Sequence, residues 1–282
     1  MERTLDLRLR TIVEAYRWQR GLGHQTVETQ YARVVRNPDH PEVWDANHID
    51  TVTAETPEQI DGVFQAMSDH LGHSPWGVIH TDPFTPEPFT ARLALDGFKE
   101  QPAVIQMRLE GQVRARSITD LNPVENESDW EALAALVRRD HEEGARTGGA
   151  VLAPEVTDGI VAGYRAKQGA YRFHLACVDG QPVAYGASAT APSGAGIIED
   201  LFTLPAYRRQ GIASGMIAAF AGELRACGCS SVFLGAVVGG QARYLYAKLG
   251  FRPLLLTRCW VRSRAHEPEK TEGRTTRLTR DT

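Results

Sequence analysis

Ile197-Ile198-Glu199-Asp200-Leu201-Phe202-Thr203-Leu204-Pro205-Ala206-Tyr207-Arg208-Arg209-Gln210-Gly211-Ile212-Ala213-Ser214-Gly215 is the stretch on which the reading of this chain turns. An apolar strand runs up to Pro205. A loop carrying Arg208-x-x-Gly211-x-Ala213 then opens a helix in which Ile212, Met216, Phe220 and Leu224 recur at helical spacing. The first N–H groups of such a helix have no partner inside it. Gly and Ala let a phosphate come close to them, and the helix dipole with Arg208 and Arg209 adds positive charge. The loop therefore reads as a pyrophosphate cradle, against the alternative of a plain strand-to-helix turn with solvated arginines. It contains neither Gly-Lys-Ser/Thr nor Gly-x-Gly-x-x-Gly, which argues against a nucleotide triphosphatase or a dehydrogenase. Strict strand alternation puts Glu199 on the side of Leu201 and Thr203, with Asp200 facing the other way.

A second motif lies downstream, Ala242-x-x-x-Tyr246-x-x-x-Gly250-Phe251. With both motifs at this separation, residues 113 to 262 resemble the GNAT superfamily of acyl-CoA-dependent N-acetyltransferases. The resemblance implies an α/β (α+β) fold with a mixed, splayed sheet flanked by helices, and acetyl-CoA as the acyl donor. It implies that the backbone of Leu201, Phe202 and Thr203 pairs with the pantetheine arm. The loop from Arg208 through Arg209, Gln210, Gly211, Ile212 and Ala213 to Ser214 would hold the pyrophosphate. The reaction so implied is direct attack of an amine on the thioester in a ternary complex.

That reaction needs a base for the amine proton, a donor for the oxyanion and an acid for the departing thiolate. Glu199 is the candidate base, and a strand carboxylate satisfied by a neighbouring Arg is the alternative. The offset of Tyr246 from Gly250-Phe251 matches the superfamily tyrosine beside the sulfur, so Tyr246 is the candidate acid; Tyr244 does not match. One departure stands out: the Asn that often opens the second motif is replaced by Gly239, followed by Gly240. A non-catalytic acyl-CoA-binding or regulatory module is therefore the alternative to an enzyme acting on the amine of a small molecule or peptide.

The chain has 282 residues, about two domains' worth at ~150 residues each. Lys plus Arg is 31 and Asp plus Glu 35, a net charge of −4, with 42% apolar and 23% charged residues, an ordinary globular composition. No basic block is present, which argues against nucleic acid or a membrane surface as partner. The N-terminus has no apolar signal core and no run is long enough to span a bilayer, so the cytoplasm is the expected location. The four cysteines read as buried reduced thiols, and the nine histidines lack paired ligand spacing, so no metal site is expected. A homodimer is left open.

The two halves resemble each other. Helix, Gly72, strand Trp76 to His80, helix, Leu95-Asp96-Gly97-Phe98 and Pro102 to Ile105 match helix, Gly228, strand Ser231 to Val238, helix, Lys248-Leu249-Gly250-Phe251 and Pro253 to Leu256. The expected organisation is a degenerate GNAT-like copy at 1–112, a catalytic GNAT domain at 113–263 and a disordered tail at 264–282. Helices are expected over residues 1 to 20, Pro57 to Leu71, Glu87 to Asp96, Ser128 to Glu143 and Pro154 to Gln168. Strands are expected near Gln30 to Asn37, His48 to Glu55, Pro102 to Leu109, from Val113, Tyr171 to Val178 and Val183 to Thr190.

In the first half the strand from His48 runs into Thr56-Pro57-Glu58-Gln59, a helix start with a Thr cap, Pro at the first position and acids in the first turn. Such acids repel a pyrophosphate, and Leu93 stands where Tyr246 stands in the second half. The first half is thus expected to bind no cofactor and to wall the substrate cleft. Trp18-Gln19-Arg20-Gly21-Leu22-Gly23 reads as a helix stop. Asp140-His141-Glu142-Glu143 reads either as an acidic lining for a cationic amine or as a solvated helix end. Trp44-Asp45-Ala46-Asn47-His48 reads either as cleft lining or as packing at a strand start.

Overall fold

The computed structural model of the chain describes residues 2–115, 120–146 and 151–264. The elements of the first half are α1 (Glu2–Gly21), β1 (Gln25–Glu28), β2 (Arg33–Arg36), β3 (His48–Asp50), α2 (Pro57–His70), β4 (Trp76–Thr81), α3 (Glu87–Leu95), β5 (Lys99–Glu100) and β6 (Val104–Leu109). The second half contributes β7 (Leu121–Pro123), α4 (Glu127–Arg146), α5 (Pro154–Ala166), β8 (Tyr171–Val178), β9 (Gln181–Thr190) and β10 (Ala195–Thr203). It continues with α6 (Ile212–Ala226), β11 (Ser231–Val237), α7 (Ala242–Leu249) and β12 (Phe251–Ser263).

The helices form where apolar spacing and capping residues place them. Ile12, Val13, Ala15 and Tyr16 bury one stripe of α1. At the start of α2 the Thr56 hydroxyl accepts from the Gln59 amide and the Gln59 side chain accepts from the Thr56 amide, a complete capping box. α1 ends at Gly21, so the glycines there do act as a helix stop. Gly23 has φ +75, and a Cβ at that position would stand 2.7 Å from the Ala166 Cβ at the end of α5.

Three strand expectations change. The strand expected near Gln30 is confined to Arg33–Arg36. The one expected from His48 to Glu55 stops at Asp50, because Thr51 has φ +56 and leaves the extended region. Val113 to Ala115 is irregular, bending at Arg114 and Ala115, instead of a strand, and the chain re-enters the sheet at Leu121. The tail expected to be disordered falls, from residue 265 on, outside the described residues. Cys227 is exposed and the other three cysteines are half-buried and free, which corrects the expectation of buried thiols. Among the described residues no helix is long and apolar enough to cross a membrane.

A single mixed sheet links both halves in the order β1-β2-β3-β4-β12-β6-β11-β10-β9-β8-β7, with β5 paired to β12. Within each half, strand-helix-strand units place β3 parallel to β4 and β10 parallel to β11. The halves exchange their last strands. β6 lies between β11 and β12, while β12, after pairing with β6 through Thr257, continues along β4 from Arg258 to Ser263. The core follows this exchange. Ile12, Val13 and Ala15 of α1 pack among Trp130, Leu133, Phe173, Ile197 and Phe202, and Trp260 of β12 packs among Ile49, Leu71, Phe89 and Leu93.

Because each half buries side chains of the other, unfolding is expected as one cooperative calorimetric transition. Ile12 is fully buried, and Ile12→Ala should lower the stability of that whole transition by about 2–5 kcal/mol. Two separate transitions, with only one moved by this substitution, would contradict the shared core.

Candidate functional site

β10 lies at the centre of the second half and departs from regular strand geometry at the residues of interest. Asp200 has φ +56, and the pairing of β10 with β9 shifts register between Glu199 and Phe202. The two sheet faces show what this bulge does. Ile197 and Phe202 both join the core under α4, α5 and α1, although five residues apart, whereas Ile198 and Leu201 both pack against the α6 side, three apart. Uninterrupted alternation cannot produce those spacings; one extra residue can. The expectation that Asp200 faces away from Glu199 is thereby corrected, since both carboxyls line one cavity.

The bulge also marks where β10 leaves β11. Their parallel pairing ends at Ile198 and Leu234, so on that side the backbone of Glu199 to Thr203 has no strand partner. Past the strand, Arg209 has φ +64 and Gly211 φ +88, and α6 begins at Ile212 without any side-chain cap. Its first internal bond runs from the Gly215 amide to the Gly211 carbonyl, which leaves the amides of Ile212, Ala213 and Ser214 as the unpaired donors of the turn. The space a Cβ would occupy at Gly211 is open. Gln210 is exposed and its side chain donates to the Ala206 carbonyl.

The two arginines behave differently. Arg208 donates to the Thr203 carbonyl at 3.0 Å and to Glu143 at 3.2 Å, and its guanidinium lies 5.8 Å from the Phe202 ring centroid. It braces the end of β10 against α4. Arg209 is exposed and has no ion-pair partner among the described residues. The amides of the turn, with Arg209 beside them, fit a diphosphate; the side of β10 left open by the splay fits an amide-bearing arm added as a further strand.

A cavity of about 340 Å³ lies between the two halves. The first half supplies Gln19, Arg20, His24, Asp45 and Ala46 to its lining, and the second supplies Asp140, Tyr164, Lys167, Tyr171, Tyr185 and the Glu199-Asp200-Leu201 bulge. Of the Asp140–Glu143 run, Asp140 and His141 line the cavity. Glu142 pairs with Arg139 and Arg146, and Glu143 with Arg208. Of Trp44–His48, Asp45 and Ala46 line it, while Trp44 packs edge-on against Trp76 and Asn47 and His48 are buried. Both readings of each run therefore hold, for different residues.

Two hydroxyls and an amide donate to three of the cavity carboxyls. Tyr164 donates to Asp200 at 2.9 Å, Tyr185 to Asp140 at 3.0 Å, and the Gln19 amide to Glu199 at 3.1 Å. Burial raises all three acids, and Glu199, with the Asp200 charge next to it, is pushed up to about 7. Burial drives His24 down to about 4, and His141 downward as well, so neither carries charge near neutrality. Arg20 is bound to Asp45 at 2.6 Å. With four carboxyls against Arg20 and Lys167 in its lining, the cavity favours a cation.

Tyr246, on α7, is 7% exposed and packs against Phe251. Burial, and then the Glu199 charge, raises its hydroxyl to about 12, so it stays protonated and able to donate; it takes no hydrogen-bond partner among the described residues. Tyr244 is exposed and lies against Arg243. Gly239, which replaces the Asn often found there, adopts φ +91 in the turn after β11, a conformation that favours glycine.

The first half repeats one backbone feature of the site in different surroundings. Thr51 has the same φ, +56, as Asp200 and directly follows Asp50, as Asp200 follows Glu199. Asp50, however, is held in a two-point ion pair by Arg33, at 2.8 and 2.5 Å. Against the effect of burial, His48 and Arg33 keep it well below the usual carboxylate range. The α2 amides are capped by Thr56, and Leu93 is fully buried. Sequence reasoning missed Gln19, Tyr164, Lys167, Tyr171 and Tyr185. Of these Gln19 carries a legible signal, because it extends the buried series Ile12, Ala15, Tyr16 of α1 as a polar residue.

The folded pKa of Glu199 lies above that of an unfolded Glu, so its contribution to stability is fullest below about pH 4.3 and falls as the pH rises through about 7. Glu199→Gln, which cannot ionise, should therefore raise the melting temperature over the parent at pH 8 and change it little at pH 4. An equal difference at both pH values would contradict the burial of this carboxyl.

The model of the acetyltransferase (GNAT) family matches residues 130–251. No curated relative matches the chain. A functionally unknown conserved protein from Staphylococcus epidermidis is similar in structure, with TM-score 0.62 and 17% identity, over 85% of this chain and 94% of that one. A GCN5-related N-acetyltransferase from Kribbella flavida gives TM-score 0.58 and 16% identity over 92% and 94%. A tandem GNAT protein from the clavulanic acid biosynthesis pathway gives 0.54 and 13% over 84% and 79%. The mixed sheet flanked by helices, with its repeated halves, is a tandem GNAT-like fold, and its second half carries the stretch, residues 130–251, that matches the acetyltransferase (GNAT) family.

Proposed function

We propose that the protein transfers an acetyl group from acetyl-CoA to a primary amine of a small molecule or peptide, with residues 113–263 as the catalytic unit and residues 1–112 as the wall of its acceptor cavity. One observation carries this reading: the bulge that opens β10 from β11 also turns a carboxyl of raised pKa, Glu199, into an acidic cavity beside that opening.

Acetyl-CoA supplies an activated acyl carbon and a thiolate leaving group. The backbone of Leu201, Phe202 and Thr203 would hold its pantetheine arm, and Arg209 with the amides from Gln210 to Ser214 would hold its pyrophosphate. Arg208 contributes mainly by fixing the strand end. Glu199 takes the proton of the acceptor amine, directly or through water, and the acidic lining draws the amine in as its cation. A carboxyl pushed up to about 7 is a strong enough base for this and still ionises near neutrality. Tyr246, protonated throughout, donates to the departing sulfur. Partial exclusion of water and alignment of the two substrates supply the remainder of the rate.

Release of free thiol from acetyl-CoA over a panel of amines tests the reading. Acceptor-dependent thiol release is expected; tight acetyl-CoA binding without turnover would instead identify a non-catalytic acyl-CoA-binding module. Tyr246→Phe should lower kcat on the order of 10²-fold while leaving the KM for acetyl-CoA nearly unchanged. In the parent enzyme kcat/KM should rise with pH along an acid limb near the Glu199 value of about 7. Equal turnover by Tyr246→Phe and parent would remove the tyrosine from the mechanism.

A further inference from the structure

We propose that Gln19, contributed by α1 of the first half, is a positioning residue for the base: Tyr171 fixes its amide so that Nε2 donates to Glu199 Oε1, leaving Oε2 as the atom that takes the acceptor's proton. This rests on Glu199 being the base of the proposed reaction. It gives the first half a part in the chemistry beyond walling the cavity.

Gln19 is 7% exposed and sits in the row of α1 that is otherwise apolar. Its amide is bonded at both ends, to residues 152 and 180 positions away. The Tyr171 hydroxyl bonds its Oε1, and its Nε2 reaches Glu199 Oε1 at 3.1 Å. The direction of this relay follows from the chemistry of its ends. Tyr171 is buried, and its hydroxyl is raised well above the ordinary phenol, so it keeps its proton and donates. An ionised carboxylate can only accept. The amide between them is therefore oriented with its oxygen toward Tyr171 and its nitrogen toward Glu199. A donor that cannot itself ionise favours the charged form of Glu199 without neutralising it, unlike Arg33, which locks the matching Asp50 of the first half.

Other groups face Glu199. Asp200 adjoins it on β10, Arg20 approaches from α1, Lys167 from the end of α5, and Tyr246 from α7. Farther around the cavity, Asp140 of α4 is tied to Tyr185 of β9, Asp200 to Tyr164 of α5, and Asp45 to Arg20. Asp200 opposes ionisation of Glu199, while Arg20 and Lys167 assist it along with Gln19. Only Gln19 among them is bonded to the carboxyl.

The test needs no acceptor. The side-chain carboxyl carbon of Glu199, labelled with ¹³C and assigned by its loss in Glu199→Gln, is titrated by NMR in the parent, Gln19→Leu, Gln19→Asn and Tyr171→Phe proteins. Gln19→Leu should move the midpoint upward by about one pH unit. Gln19→Asn, one methylene too short, should move it nearly as far, and Tyr171→Phe less far in the same direction. An unmoved or lowered midpoint in these variants overturns the inference, and Tyr171→Phe decides it if the Gln19 variants fail to fold. With an acceptor in hand, the acid limb of kcat/KM should shift with the midpoint while the KM for acetyl-CoA stays constant. Should Glu199→Gln turn over at the parent rate, the base assignment fails even if the resonance moves. Should Glu199→Gln lose turnover while the resonance stays still, only the role of Gln19 fails.

Discussion

The positive φ of Asp200 is the constraint on which the rest of the site depends. A single residue placed in the left-handed region inserts one position into β10, and three consequences follow together. Side-chain parity reverses, so that Glu199 and Asp200 share a cavity; pairing with β11 ceases; and an edge of backbone opens within the sheet. Asp is among the few non-glycine residues that tolerate this conformation, and here its carboxyl is further held by Tyr164. Backbone irregularity of this kind costs on the order of 1–3 kcal/mol and persists only where the surroundings enforce it.

The recurrence of the same φ at Thr51 separates what the fold requires from what the chemistry requires. Thr is β-branched and poorly suited to that region, yet the positive φ is kept in a half whose acid is locked by Arg33 and whose helix start is capped by its own side chains. The first half thus shares this backbone feature while its acid is paired and its helix start capped. In the second, the matching acid meets a neutral amide in place of a guanidinium, and the helix start is left uncapped.

Much of this was legible in the sequence because it is local. The capping box at Thr56, the apolar row of α6, the uncapped glycine turn and the Gly-Phe after α7 are each specified within a dozen residues, and the structure carries them where the sequence puts them. The orientation of Asp200 was not legible, since alternation is the right rule for a strand and a bulge is its exception. Nor was the cavity, because its two walls are 180 residues apart at Gln19 and Glu199, and only the docking of α1 on β10 joins them. The end of α4 shows the limit well. A run of four polar residues looks uniform in sequence, but the helix turns Asp140 inward and sends Glu142 and Glu143 to arginines outside.

The crossing of β6 and β12 also sets the order in which this molecule can be completed. β12 emerges from the ribosome after every strand it touches, and it closes the sheet of both halves at once. Until it arrives, β4 and β6 each present an unsatisfied edge, so neither half can finish early and wait for the other. Maturation of the two halves is in this way synchronised by one late segment, and a nascent chain halted before it would expose two sticky sheet margins to chaperones.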